Sequence, residues 1–187
     1  MKYDIRQKPS KFAERVLADF SSTLFSLLQG KTLKSITVNE LCEQARYPRA
    51  TFYNYFDDIY DLLSYAWIRV KEEIRVGDYR ELDPAERTAI LFGRCYDYLE
   101  GRKEMISRLM RYNLEDARFM ESLRKTMRDY FYEIIVNTPC AAEYTLPYEL
   151  IAEHCANTIQ TVLEWCFIRK ERLTKEQALE AVKLLLG

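Results

Sequence analysis

TVNELCEQARYPRATFYNYF, residues 37–56, decides the fold. Thr37 is a good helix N-cap, and Glu40 three positions later completes a capping box. Val38, Leu41 and Cys42 then face inward, so a short amphipathic helix is predicted. Arg46-Tyr47-Pro48 breaks it. Pro48 fits the first turn of a second helix because its missing N–H is not needed there. That helix runs from about Pro48 to Tyr55, with Phe52 and Phe56 on one face to pack on the first helix. Thr51, Asn54 and Tyr55 point elsewhere. Two short helices around a tight break, the second rich in Thr, Tyr, Asn and Arg, suit a helix-turn-helix. One helix crosses a DNA backbone and the next enters the major groove.

The flanks continue the helical pattern. Upstream, residues 1–8 are a polar, basic arm, and Pro9-Ser10 opens a helix. Its apolar positions are Phe12, Val16, Phe20, Leu24 and Leu27, and Gly30 ends it. Downstream, Asp57 or Asp58 caps a fourth helix with Ile59, Leu62, Leu63, Ala66 and Val70 buried. Residues 77–83 connect to a fifth helix that starts at Asp83-Pro84-Ala85-Glu86 and runs to about Glu100. Gly101 separates a sixth helix ending near Tyr112. A seventh, from about Glu115, carries Phe119, Leu123, Met127, Tyr130 and Ile134, and residues 138–145 form a loop containing Pro139. Pro147 opens an eighth helix with Leu150, Ile151, Cys155, Thr158, Val162 and Trp165 inward. Thr174 and Gln177 form a second capping box for a last helix with Ala178, Ala181, Val182 and Leu185. Nothing alternates as a strand. The expectation is an all-α protein of about nine helices. Residues 1–56 form a DNA-binding domain, and 57–187 form a helical domain entered through the fourth helix, about 57–76.

Composition narrows the function classes. Hydrophobic residues make up 48% of the 187, enough for a real core and against disorder. Five Gly and five Pro are too few for a β-rich chain of tight turns. Net charge is −1, but it is unevenly placed. Residues 1–56 hold nine basic and five acidic residues, and the remainder is net −5. A positive end on an acidic body fits phosphate contact at that end. The five cysteines are scattered without a CxxC, so neither a disulfide framework nor a zinc site is expected. No apolar run approaches bilayer length, and no signal-peptide core opens the chain. The expectation is a cytoplasmic protein with no membrane partner, metal or cofactor.

The chemistry of the second short helix is that of groove reading. Arg49 reaches a phosphate or a guanine edge, Asn54 pairs with adenine, and the Thr51 methyl meets a thymine methyl. Tyr53 and Tyr55 hydroxyls suit phosphate oxygens. The backbone N–H groups at Thr37 suit another phosphate. The competing reading is a plain helical hairpin with a solvated polar face. His154, the only histidine, has no nameable Ser or Cys partner, so a packed or ligand-bonding role outweighs a catalytic one and an enzyme ranks last. Phe92, Tyr96, Met127 and Tyr130 read either as ordinary core or, with His154, as an adaptable pocket for a small molecule. The eighth helix is apolar on more than one face. It either lies at a bundle centre or meets a second copy through Ile151, Cys155, Thr158, Val162 and Trp165, with Val182 and Leu185 alongside. The dimer is the expected arrangement, since a twofold protein suits a palindromic operator.

The run Ala45-Arg46-Tyr47-Pro48-Arg49-Ala50-Thr51-Phe52-Tyr53-Asn54-Tyr55-Phe56, followed by Asp61-Leu62-Leu63, resembles the signature of the tetracycline-repressor (TetR) family. The resemblance is specific over about residues 10–66 and looser over 150–187. It implies a homodimeric repressor whose first three helices bind double-stranded operator DNA. Its larger part would hold a small-molecule effector of unknown identity and the dimer interface. By position, Thr37, Tyr53 and Tyr55 would touch phosphates, and Arg49, Thr51 and Asn54 would lie at base edges. Three departures stand out. Arg46-Tyr47-Pro48 replaces the family's Gly-Val-Ser turn. Ile59 stands where a backbone-contacting Lys is usual. Asp57 and Asp58 add negative charge beside it. Arg46, Lys31 and Lys34 are the cations placed to compensate. The alternative is a TetR-like protein with a degenerate head that acts through a partner protein or small ligand.

Overall fold

The computed structural model describes residues 10–83, 85–137 and 145–186. The basic arm, Pro9, Pro84, and the loop holding Pro139 and Cys140 lie outside them. The described residues form α1 (Lys11–Leu28), α2 (Val38–Ala45), α3 (Arg49–Tyr55), α4 (Ile59–Ile74), α5 (Arg87–Glu100), α6 (Lys103–Asn113), α7 (Ala117–Val136), α8 (Tyr148–Phe167) and α9 (Lys175–Leu186). Single 3-10 helices cover Leu33–Ser35 and Val76–Glu81. No strand occurs among the described residues, so the fold is all-α. The chain groups into two compact units. One holds the described residues up to Arg69 together with Arg108–Met120. The other holds Val70–Ser107 and the described residues from Glu121 onward.

In the first unit, Ser10 caps α1, its Oγ accepting the Ala13 N–H at 3.2 Å. The buried stripe is Ala13, Val16, Leu17, Phe20, Leu24, Leu27 and Leu28. Phe12, expected on it, is 66% exposed. Positions 12 and 13 both stand at helical spacing from 16, and the small alanine takes the inward one. Phe20 then receives the aromatic wedge from α3. Phe52 meets it edge-on at 5.5 Å and Phe56 at 6.4 Å, and all three are fully buried. Each such side chain contributes about 1.5–3 kcal/mol by leaving water. Asp58, rather than Asp57, caps α4, accepting the N–H groups of Tyr60 (2.8 Å) and Asp61 (2.9 Å). Ile59, Leu62, Leu63 and Ala66 are buried as expected, whereas Val70 is half-buried. Trp67 sits between Phe25 (5.7 Å) and Phe119 (5.5 Å).

In the second unit, Phe92 from α5, Ile159, Val162, Cys166 and Phe167 from α8, and Ala178 and Val182 from α9 form one core. Thr174 and Gln177 make the full reciprocal capping box at the start of α9, at 3.0 and 3.3 Å. Lys175 Nζ holds both carboxylate oxygens of Asp97, at 2.6 and 2.7 Å, tying α9 to α5. Helix α8 corrects the expected stripe. Its buried residues are Ala152, Ala156, Ile159, Val162, Cys166 and Phe167. Leu150 and Trp165 are 52% and 43% exposed. The buried face thus runs through Ala152, Ala156 and Ile159 rather than through Leu150 and Trp165.

Candidate nucleic-acid interface

The α2–α3 corner is built from backbone outward. Thr37 sits at φ −104°, ψ 153°, and its Oγ1 accepts the Glu40 N–H at 3.2 Å. The Glu40 carboxylate instead holds Lys31 Nζ as an ion pair. At the far end Arg46 takes the left-handed conformation, φ 61°, ψ 38°. Tyr47 N–H donates to Cys42 O (3.0 Å) and Arg46 N–H to Glu43 O (3.2 Å), which is the Schellman pairing. Arginine here costs roughly 1–2 kcal/mol relative to the glycine that the conformation favours. The side chain of Tyr47 offsets part of that cost. Its ring packs on Phe20 at 5.3 Å and its hydroxyl donates to Asp19 Oδ2 at 2.8 Å. Donating to Asp19 pushes the Tyr47 phenol above its ordinary range. Pro48 is the N-cap of α3, with ψ 148°, rather than a residue of its first turn.

Arg46-Tyr47-Pro48 therefore departs from Gly-Val-Ser in sequence while forming a complete turn between two helices. The second departure has a packing reason, since Ile59 is 7% exposed and belongs to the buried core. The third stands, for Asp57 and Asp58 are both exposed.

With Phe52 and Phe56 inward, α3 turns Arg49 and Asn54 to solvent and leaves Thr51, Tyr53 and Tyr55 half-buried. Arg49 lies back along the helix, Nη2 donating to the Tyr53 hydroxyl at 3.3 Å with its guanidinium 5.6 Å from the ring centre. The Tyr53 ring stands edge-on to Phe52 at 5.4 Å, so the exposed arginine is anchored to the buried wedge. Arg46 and Lys34 are exposed, as is Thr37. Lys31 is half-buried in its pair with Glu40, so its charge is already partnered.

The remaining candidates divide. Phe92, Tyr96 and Met127 come together in the core of the second unit, Tyr96 lying 5.1 Å from Phe167. Tyr130, one turn after Met127 on α7, has other partners, its hydroxyl donating to Val76 O at 3.2 Å and Lys71 Nζ lying 5.3 Å from its ring centre. His154 is exposed and joins no apolar cluster. It lies two residues from buried Ala152, about 200° around the helix, which explains its outward direction. Among the dimer candidates, Val162 and Val182 are 3% and 1% exposed within their own chain, so no second copy can reach them. Trp165 and Leu185 are exposed, and Ile151, Cys155 and Thr158 are half-buried. Cys42, Cys95, Cys155 and Cys166 are free thiols, and burial pushes Cys95 up to about 12 and Cys166 up to about 11. Asn113 escaped the sequence reading altogether. It is fully buried and makes four hydrogen bonds, and nothing in its local sequence distinguishes it from an ordinary helix-ending asparagine.

No helix among the described residues is long and apolar enough to cross a membrane. No family model matches the chain. No curated protein matches it in sequence. Solved structures do match in fold. A putative TetR-family transcriptional regulator from Syntrophomonas wolfei superposes with TM-score 0.68 at 17% identity, covering 93% of this chain and 96% of that one. The fatty acid degradation regulator FadR from Bacillus halodurans gives 0.65 at 15% identity, covering 97% of each chain. A TetR transcriptional regulator from Streptococcus agalactiae gives 0.64 at 17% identity, covering 93% and 94%. The chain has the fold of the TetR-family transcriptional regulators.

Proposed function

We propose that this chain is a DNA-binding transcriptional regulator, with residues 1–56 as its reading head. The observation that carries this reading is the division of labour on α3. Phe52 and Phe56 are fully buried, and Arg49 and Asn54 face solvent from the same short helix. In the bound state Arg49 and Asn54 read base edges, joined by Thr51. Tyr53, Tyr55 and Thr37 hold phosphates, with Arg46 and Lys34 as flanking cations. Lys31 joins them only by giving up Glu40.

The regulator acts as a homodimer on a palindromic operator. Exposed Trp165 and Leu185, with half-buried Ile151, Cys155 and Thr158, supply an apolar face on α8 and α9 for a second copy. A small-molecule effector enters the cluster around Phe92, Tyr96 and Met127, where a thioether and aromatic rings can repack. It shifts the balance between DNA-competent and incompetent states. The experiment is titration of the chain with duplexes drawn from the region beside its own gene across a salt series. Specific binding that weakens as salt rises, and is lost in Arg49→Ala, supports the reading. Binding no stronger than to bulk DNA at every salt sinks it.

A second reading has its own motivation. Lys31 is paired, Ile59 is buried, and Asp57 and Asp58 are exposed beside α3, so this head offers phosphates few cations. In that case the head no longer reads DNA, and the chain acts through a partner protein or small ligand bound elsewhere. An Arg49→Ala, Tyr53→Phe variant that keeps the cellular phenotype favours it.

A further inference from the structure

The side chain of Asn113, the last residue of α6, is fully buried in the first unit. Its Nδ2 shares two hydrogens among three acceptors, Leu28 O (3.0 Å), Lys31 O (3.2 Å) and, within its own helix, Leu109 O (3.0 Å). Its Oδ1 accepts the Leu33 N–H at 2.8 Å. One amide thus joins the end of α1, the turn after it and the 3-10 helix that leads into Thr37. These are the residues from which α2 is launched. A carbonyl at Leu28 belongs to a helix end that has no intrahelical partner, and the Leu33 N–H begins a 3-10 turn. Both are groups that a buried connector must satisfy from elsewhere.

No common side chain of this size substitutes for it. Aspartate keeps the acceptor and loses both donors. Leucine fills the space and orphans the carbonyls and the Leu33 N–H. Glutamine carries the same groups one methylene further out. The bonds to Leu28, Lys31 and Leu33 join residues about eighty positions apart in the chain.

We infer that Asn113 is a positioning residue for the reading head, locking the α1–α2 connector so that α2 and α3 are presented in one orientation. The inference rests on the proposed DNA-binding function. It makes the head discontinuous in sequence, since the lock arrives from residue 113.

The test uses the full chain and compares Asn113→Ala with Leu109→Ala. The second variant removes a buried side chain from the same helix turn and leaves the amide in place. Hydrogen exchange is followed in peptides spanning 28–37, and binding is measured to a library of random duplexes at low salt. The expected result is connector exchange about tenfold faster in Asn113→Ala, with DNA binding weakened about as much, from the loss of several buried hydrogen bonds. Leu109→Ala should lose stability without singling out the connector. Should Asn113→Ala fail to fold, Asn113→Ser substitutes. Its hydroxyl can bond back to Leu109 O but is too short for the connector, so the same loosening is expected. Equal loosening in Leu109→Ala, or a connector as protected as in the wild type, overturns the lock. A loosened connector with unchanged DNA binding overturns its positioning role and leaves the regulator reading intact. If the wild-type chain binds no duplex at any salt, the regulator reading fails and the positioning role with it.

Discussion

Helix α3 has seven residues and α8 has twenty, yet the shorter one is far better determined by its own sequence. In α3 Phe52, with the C-cap residue Phe56 four positions on, leaves only one way to face, because burying both sets the direction of the other side chains. In α8 apolar residues occupy more than one face, so helical spacing alone does not choose which one is buried. The structure buries the face of Ala152, Ala156, Ile159, Val162 and Cys166. A few large, isolated anchors specify orientation, and a surplus of apolar residues leaves it to the neighbours.

Phe52→Ala should cost about 3–5 kcal/mol, because a fully buried ring wedged against Phe20 leaves a cavity. Chemical denaturation followed by circular dichroism reads this, and a loss below about 1.5 kcal/mol, the scale of a volume-conserving swap, would deny α3 its anchor. On α8, Trp165→Glu should spare the fold, since the ring is 43% exposed in the single chain. Its effect belongs in self-association, weakened by about 2 kcal/mol if the ring is an interface anchor. Sedimentation of variant and wild type distinguishes the two; an unchanged dimer removes this face from the interface.

Smaller effects sharpen the account of the turn. Arg46→Gly should raise stability by up to about 1 kcal/mol, the relief of a left-handed arginine less the extra freedom of glycine in the unfolded chain. A fall in melting temperature would show that the arginine side chain makes a contact worth more than the strain. Tyr47→Phe removes the hydrogen bond to Asp19 and keeps the ring on Phe20. The loss should be smallest of the four and should depend on pH. The Tyr47 phenol is raised above its ordinary value by donating to Asp19, so its stabilisation is full below the unfolded tyrosine's pKa of about 10 and disappears as pH climbs through the higher folded value. Wild type and variant should therefore converge in alkali. A gap that stays constant there would mean that the bond to Asp19 does not titrate with this phenol.

What was readable in the sequence follows the same logic as the contrast. The capping signals at Thr37 and Thr174, the wedge of Phe52 and Phe56 and the all-α pattern depend on near neighbours in the chain, and the structure bears them out. Even so, Glu40 closes on Lys31 and leaves its capping box half-made, because a cation lay within reach. The misplacements of Phe12, Leu150 and Trp165 have one cause: helical spacing gives the period but not the phase when apolar residues are adjacent. Pro48 reads as the first residue of its helix and stands one residue outside it, within the usual uncertainty of a helix end. Asn113 was illegible because its partners lie far away in the chain, and local pattern carries no trace of them. Helical spacing places Val162 and Val182 on apolar faces without saying what covers them, and only coordinates separate these inward valines from an outward His154.

The most direct measurement is selection of bound sequences from a pool of random duplexes, repeated with Asn54→Ala. A reading surface held out by Phe52 and Phe56 predicts enrichment of one palindrome with half-sites about one helical turn, roughly 10 base pairs, or a multiple of it, apart. It also predicts relaxed preference at a single position of each half-site in the variant. A pool that stays random after selection with the wild-type chain would contradict it.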